Sequence, residues 1–107
     1  HMDGGVAGKQ VLVTGGAGAV GHYAVQMAKA AGARVIATVS GEEKAAIARA
    51  AGADAVINYR AEDVAARALA LTDGAGVDRV IEVDLAANLQ ASIDALKTDG
   101  DIVPYGS

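Results

Sequence analysis

Residues Val11-Leu12-Val13-Thr14-Gly15-Gly16-Ala17-Gly18-Ala19-Val20-Gly21 run from an apolar segment straight into a GxGxxG turn at Gly16, Gly18 and Gly21. The apolar, β-branched run reads as a buried strand, and a helical pattern begins inside the turn. Gly16 allows a tight exit from the strand, and Gly18 lets a ligand approach the backbone with no Cβ in the way. Gly21 lets the new helix lie against the sheet. The N–H groups at the helix start, with the positive end of its dipole, suit an anion such as a dinucleotide pyrophosphate. The glycine spacing alone is a weak signal in a chain with 14 glycines. A strand before it, a helix after it and βα units downstream make it a specific one.

Those units are visible as five apolar, β-branched runs alternating with four alanine-rich segments. The pattern predicts strands over Gln10–Thr14, Arg34–Val39, Ala55–Asn58, Arg79–Val83 and Ile102–Tyr105. A first helix, about Gly18–Ala31, would turn Val20, Ala24, Met27, Ala28 and Ala31 inward and stop at Gly32. A second, about Glu42–Ala51, would bury Ile47 and Ala51. A third, about Glu62–Leu71, would bury Val64, Ala68 and Leu71, with Ala61 at its cap position unable to cap. A fourth, about Leu89–Thr98, would present Leu89, Ile93 and Leu96 behind an Asn88 cap. Strict alternation implies a single α/β domain. Its expected form is a doubly wound parallel sheet, a Rossmann fold in strand order 3-2-1-4-5, with helices on both faces.

Composition narrows the partners. A chain of 107 residues with 52% hydrophobic and 21% charged residues is foldable, and no apolar run nears the ~20 residues of a membrane span. Net charge −4 disfavours nucleic acid and anionic membranes. The absence of cysteine excludes disulfides and thiolate zinc sites within these residues and fits a cytoplasmic location. His1-Met2 reads as the remnant of a cleaved expression tag. With no Trp or Phe and three Tyr, the core must be filled by Ala, Val, Ile and Leu.

The end of the second strand bears on the choice of dinucleotide. An NAD site usually carries Asp or Glu there for the adenosine ribose hydroxyls. This chain has Ala37-Thr38-Val39-Ser40, then Gly41-Glu42-Glu43-Lys44. A small hydroxyl at Ser40, a helix start and Lys44 one turn in form a pocket suited to a 2′-phosphate. Ser40 as a plain helix cap and Lys44 as a solvated charge remain the alternative, and Glu42 and Glu43 would repel a phosphate if they turned inward.

The glycine turn followed by His22-Tyr23-Ala24-Val25-Gln26-Met27-Ala28-Lys29 resembles the cofactor domain of medium-chain dehydrogenases/reductases, in the quinone oxidoreductase (zeta-crystallin-like) branch. So do Gly32–Thr38, Gly52-Ala53-Asp54-Ala55-Val56-Ile57-Asn58-Tyr59 and Gly100-Asp101-Ile102-Val103. The resemblance covers nearly the whole chain in order. It implies NADP(H) as cofactor, with Ala17, Gly18, Ala19 and Val20, which lie between the motif glycines Gly16 and Gly21, matching the phosphate-binding turn. Ser40, Lys44 and Tyr59 match positions at the 2′-phosphate and adenosine end. Val83, Tyr105, Gly106 and Ser107 match strand ends near the nicotinamide.

It also implies a zinc-independent reductase that passes hydride from NADPH to a quinone or enone, with no catalytic residue supplied by this domain. The partner would be a catalytic domain of the same parent chain, absent from these 107 residues. The isolated module would be inactive, and monomeric or weakly self-associating through its last strand. His22 reads as solvated and Asp84 has no clear role. Two alternatives stay open. Thr14-Gly15-Gly16-Ala17-Gly18 also resembles the start of an extended short-chain dehydrogenase/reductase, although no Tyr here has Lys four residues on. A non-catalytic module that senses nucleotide state would need the same turn.

Overall fold

In a computed structural model, residues 7–83, 94 and 96–104 are described. The elements in chain order are β1 (Gln10–Val13), α1 (Ala19–Ala30), β2 (Arg34–Val39), α2 (Glu42–Ala51), β3 (Ala55–Asn58), α3 (Val64–Leu71), β4 (Val77–Glu82) and β5 (Leu96–Pro104). All five strands are parallel, in the order β3-β2-β1-β4-β5. This is the doubly wound arrangement expected from the alternation. Leu12 is central, aligned with Ile36 of β2 on one side and Val80 of β4 on the other. No helix among the described residues is long and apolar enough to cross a membrane.

Period-two alternation divides the strand side chains between two cores. Val11, Val13, Val35, Ala37, Val39 and Ile81 face α1 and α2, where Ala24, Val25, Ala28, Ala45 and Ala48 meet them. Leu12, Ile36, Ile57 and Val80 face the other way, onto Ala68 of α3.

Several helical details differ from the sequence expectation. The buried stripe of α1 is Gly21, Ala24, Val25 and Ala28, while Val20 and Met27 are exposed. The stripe is shifted by one residue because Gly21 must face inward, and Val25 follows it one turn later. In α2 Ala45 and Ala48 are buried and Ala51 packs partly buried against the same core, as expected, but Ile47 lies 44% exposed. The methyl groups of Ala45 and Ala48 fill the contact of α2 with the core that α1 also covers.

Helix α3 begins two residues later than expected and does not lack a cap. Asp63 is its N-cap, and Asp63 Oδ1 accepts the Ala66 N–H at 3.1 Å. Ala61 instead belongs to the turn after β3, where its N–H donates to the Asn58 carbonyl. Strand β4 starts at Val77 rather than Arg79. Strand β5 starts at Leu96, inside the predicted fourth helix, and its register with β4 shifts between Val77 and Arg79. The β-branched and aspartate-rich stretch from Thr98 is held there by Arg79, whose Nε donates to Asp101 Oδ1 at 2.9 Å. Residues 84–93, including the Asn88 cap, lie outside the described residues.

At the amino end of the sheet, Asp54 joins α1 to β2. Its Oδ1 pairs with Lys29 Nζ at 2.8 Å and its Oδ2 accepts the Val35 N–H at 2.8 Å. Partial burial works to raise the carboxyl pKa, but the Lys29 contact, the Val35 N–H and the nearby Arg34 together hold it below its usual 3.8. A depressed acid stabilises the fold above its unfolded pKa and loses that contribution as pH falls through the folded value. Asp54→Asn should therefore lower stability at neutral pH, by less than about 1 kcal/mol for so exposed a pair. The difference from wild type should vanish in strong acid, as read by urea unfolding at several pH values. Asp63→Ala should cost about 1 kcal/mol in the same assay, whereas Ala61→Asp should gain nothing.

Candidate functional site

The carboxyl ends of β1, β2 and β3 gather the candidate residues. Strand β1 ends at Val13, and the chain turns through Gly15, whose φ of 66° lies in the left-handed region that favours glycine. The turn is pinned to the end of β2: Gly15 N donates to Thr38 Oγ1 at 3.0 Å, and Gly16 N donates to the Thr38 carbonyl at 2.9 Å. The motif glycines have separate reasons to lack a side chain. A Cβ on Gly16 would come within 2.7 Å of the Ala37 Cβ, and one on Gly21 would overlap the Gly15 carbonyl oxygen. A Cβ on Gly18 would meet only Gly15 O, at 3.7 Å. The tight turn is thus the work of Gly15 rather than Gly16, whose role is close approach to β2. Gly18 alone is exposed and free of steric demand from the protein.

Gly18 is also the N-cap of α1, and it supplies no capping side chain. The first intrahelical bond runs from His22 N to the Gly18 carbonyl at 2.7 Å. Helix geometry leaves the N–H groups of Ala19, Val20 and Gly21 without an acceptor one turn back. There is no acidic residue in that first turn. Such an end favours an anion on both hydrogen-bonding and dipole grounds.

Beside it lies an open cavity of about 170 Å³, lined by Gly15, Ala17, Gly18, Val39, Ser40, Lys44 and Tyr59. That volume is several times the ~30 Å³ share of a water molecule and below the ~300 Å³ of a whole ligand site, so it suits one subsite of a longer ligand. Ser40 is half-buried and Lys44 exposed. Ser40 does not cap α2, because Gly41 is the N-cap and no side chain bonds there. Tyr59 reaches the cavity because local bonds fix the loop after β3. Tyr59 N donates to the Val39 carbonyl, Glu62 Oε2 accepts the Asn58 N–H, and Asn58 Oδ1 accepts the Arg60 N–H.

Five expected residues, Ala17, Gly18, Ser40, Lys44 and Tyr59, therefore share one cavity. Ala19 and Val20 lie at the exposed helix start, while Gly16 and Gly21 are buried beneath the turn. Val83 stands on the opposite side of the turn, half-buried, with its N–H bonded to Thr14 Oγ1 at 2.9 Å. Tyr105, Gly106, Ser107 and Asp84 lie outside the described residues. His22 is half-buried rather than fully solvated and does not line the cavity. Sequence reasoning missed Gly15 and Val39 as lining residues, and missed the Thr14 and Thr38 hydroxyls that brace the turn. The signal for the two threonines was only position, at or next to the last residue of a β-branched run. Among the described residues no group of three or more His, Cys, Asp or Glu converges as metal ligands do.

Residues 19–107 match the family described as zinc-binding dehydrogenase. The chain is 43% identical over 99 residues to prostaglandin reductase-3 of Mus musculus, covering 92% of this chain and 26% of that protein. It is 42% identical to 2-haloacrylate reductase of a Burkholderia species, covering 92% of this chain and 30% of that protein. A crystal structure of Escherichia coli quinone oxidoreductase complexed with NADPH superposes with a TM-score of 0.84 at 39% identity. That match covers 91% of this chain and 30% of the solved one. The chain belongs to the medium-chain dehydrogenase/reductase family. It corresponds to the nucleotide-binding domain of the family's reductases, spanning under a third of the relatives' length. The short-chain alternative is set aside by these matches.

The glycine geometry separates fold from site in a measurable way. Gly21→Ala should destabilise the domain by about 1–3 kcal/mol or more, because backbone must move to clear the new Cβ. Gly18→Ala should stay within about 0.5 kcal/mol of wild type. Thermal unfolding followed by circular dichroism distinguishes the two.

Proposed function

We propose that this domain binds NADP(H) within a reductase that carries hydride to a quinone or an activated alkene. The observation that carries the proposal is the cavity at the end of β2, where Ser40 and Lys44 stand and an NAD site would have an acid. Its residues fit the cofactor: bare helix N–H groups at Ala19–Gly21 for the pyrophosphate, and a hydroxyl and an ammonium for the 2′-phosphate. Tyr59 offers a face to the adenosine end. When bound, NADPH supplies the hydride. This chain's own residues bind and orient it.

The substrate class is supported by the names of the relatives, two of which are reductases of a haloacrylate and a quinone. The quinone-reductase resemblance carries zinc-independent chemistry with it. Substrate binding would fall to a catalytic domain of the parent chain, which the length of the relatives supports. The domain by itself would then give no NADPH-dependent quinone reduction above the uncatalysed rate, because orientation and exclusion of water come from that partner.

Lys44 is exposed and has Glu42 and Glu43 beside it in the first turn of α2. Its charge-assisted bond should therefore sit at the low end of the usual ~1.5–3 kcal/mol, a preference of about ten-fold for 2′,5′-ADP over 5′-AMP. Calorimetric titration measures it. Lys44→Ala should remove most of the difference, and Gly18→Val should abolish binding of both nucleotides with the circular dichroism unchanged. Equal affinity of the wild-type domain for the two nucleotides would sink the NADP(H) assignment.

A further inference from the structure

Two buried polar side chains meet across the point where the sheet order reverses, between β1 and β4. Thr14 and Glu82 are each 2% exposed, and the Thr14 hydroxyl donates to Glu82 Oε1 at 2.9 Å. The same hydroxyl oxygen accepts the Val83 N–H at 2.9 Å, and Thr14 N donates to the Ile81 carbonyl at 3.2 Å. Neither side chain lines the cavity of Ser40, Lys44 and Tyr59.

An acid buried at the end of an apolar strand carries a desolvation cost, and an apolar pair of similar shape serves packing at least as well. The location supplies the missing reason. Ligands of open α/β sheets lie outside the carboxyl ends of the strands at this reversal. A threonine hydroxyl has one proton and two lone pairs. With the proton committed to Glu82, the lone pairs are turned to the Val83 N–H, which holds the backbone leaving β4 beside the glycine turn. On the other flank Thr38 does the corresponding work, its Oγ1 accepting the Gly15 N–H at 3.0 Å. The turn is thus braced by one hydroxyl toward the cavity and by another toward β4.

We infer that Glu82, acting through Thr14, is a positioning residue for the nicotinamide half of the dinucleotide. The inference rests on the NADP(H) assignment above. Its role is to accept a hydrogen bond, so glutamine should replace it, whereas leucine should not. Breaking the link should release the backbone after β4 and leave the adenosine side, held by Thr38, in place.

The test titrates the 107-residue chain with 2′,5′-ADP and with NADPH, recording the dihydronicotinamide emission during the NADPH titration. Wild type should bind NADPH more tightly than 2′,5′-ADP and shift the emission. Glu82→Leu and Thr14→Val should keep 2′,5′-ADP affinity within about two-fold while weakening NADPH about five-fold and abolishing the emission shift. Glu82→Gln and Thr14→Ser should behave as wild type. If Glu82→Leu does not fold, the comparison of Thr14→Val with Thr14→Ser carries the same test. Equal weakening of both ligands, no weakening of NADPH, or a Glu82→Gln as impaired as Glu82→Leu would each overturn the inference. So would a wild type that binds both ligands equally well. A wild type that binds neither ligand instead removes the NADP(H) assignment beneath it.

Discussion

The contact between Gly21 and the Gly15 carbonyl sets the distance on which the rest of the site depends. Helix α1 lies so close to the turn that a Cβ at Gly21 would overlap that oxygen. Closeness has two effects. It aims the helix N-terminus at the open side of the turn, and it brings α1 near enough to the sheet that only Ala24, Val25 and Ala28 fit beneath it. The positive end of the helix and the identity of the core are therefore two results of one approach. The hydroxyls of Thr14 and Thr38 hold the turn at the matching height by bonding its neighbours on both sides.

The sheet was legible in the sequence because parallel strands buried on both faces must be continuous apolar runs, and here glycine or polar residues bound each run. The glycine turn was legible for a similar reason, since its steric demands fall on few positions. Helical faces were harder to read. In a chain so rich in alanine, the apolar residue with the largest side chain is a poor guide to the inward face, because the inward face is where only a small one fits. Val20, Met27 and Ile47 point outward on that account. The sequence pattern places the cap of α3 at Ala61, but Asp63 two residues later carries the oxygen that the Ala66 N–H needs.

The cavity was legible residue by residue but not as a whole. Ser40 and Lys44 are near in sequence, and their chemistry can be read together. Tyr59 joins them only through the parallel pairing of β3 with β2, which aligns Asn58 with Val39. The Thr14–Glu82 pair was not legible at all. Those residues are 68 positions apart, and only adjacency of β1 and β4 brings a hydroxyl to a carboxyl.

The two faces of the sheet are built from different stock. Among the described residues, the core on the side of α1 and α2 is valine and alanine with one isoleucine, whereas on the side of α3 it mixes leucine, isoleucine and valine with one buried alanine. Short, branched or methyl-only side chains have few rotamers to exchange, so the first layer behaves as a stiff plate whose spacing is set by backbone. Leucine and isoleucine on the other side have a second side-chain torsion through which to adjust to a neighbour of altered shape. Volume-conserving substitution should therefore be better tolerated in the α3 layer than in the valine and alanine layer that carries the turn.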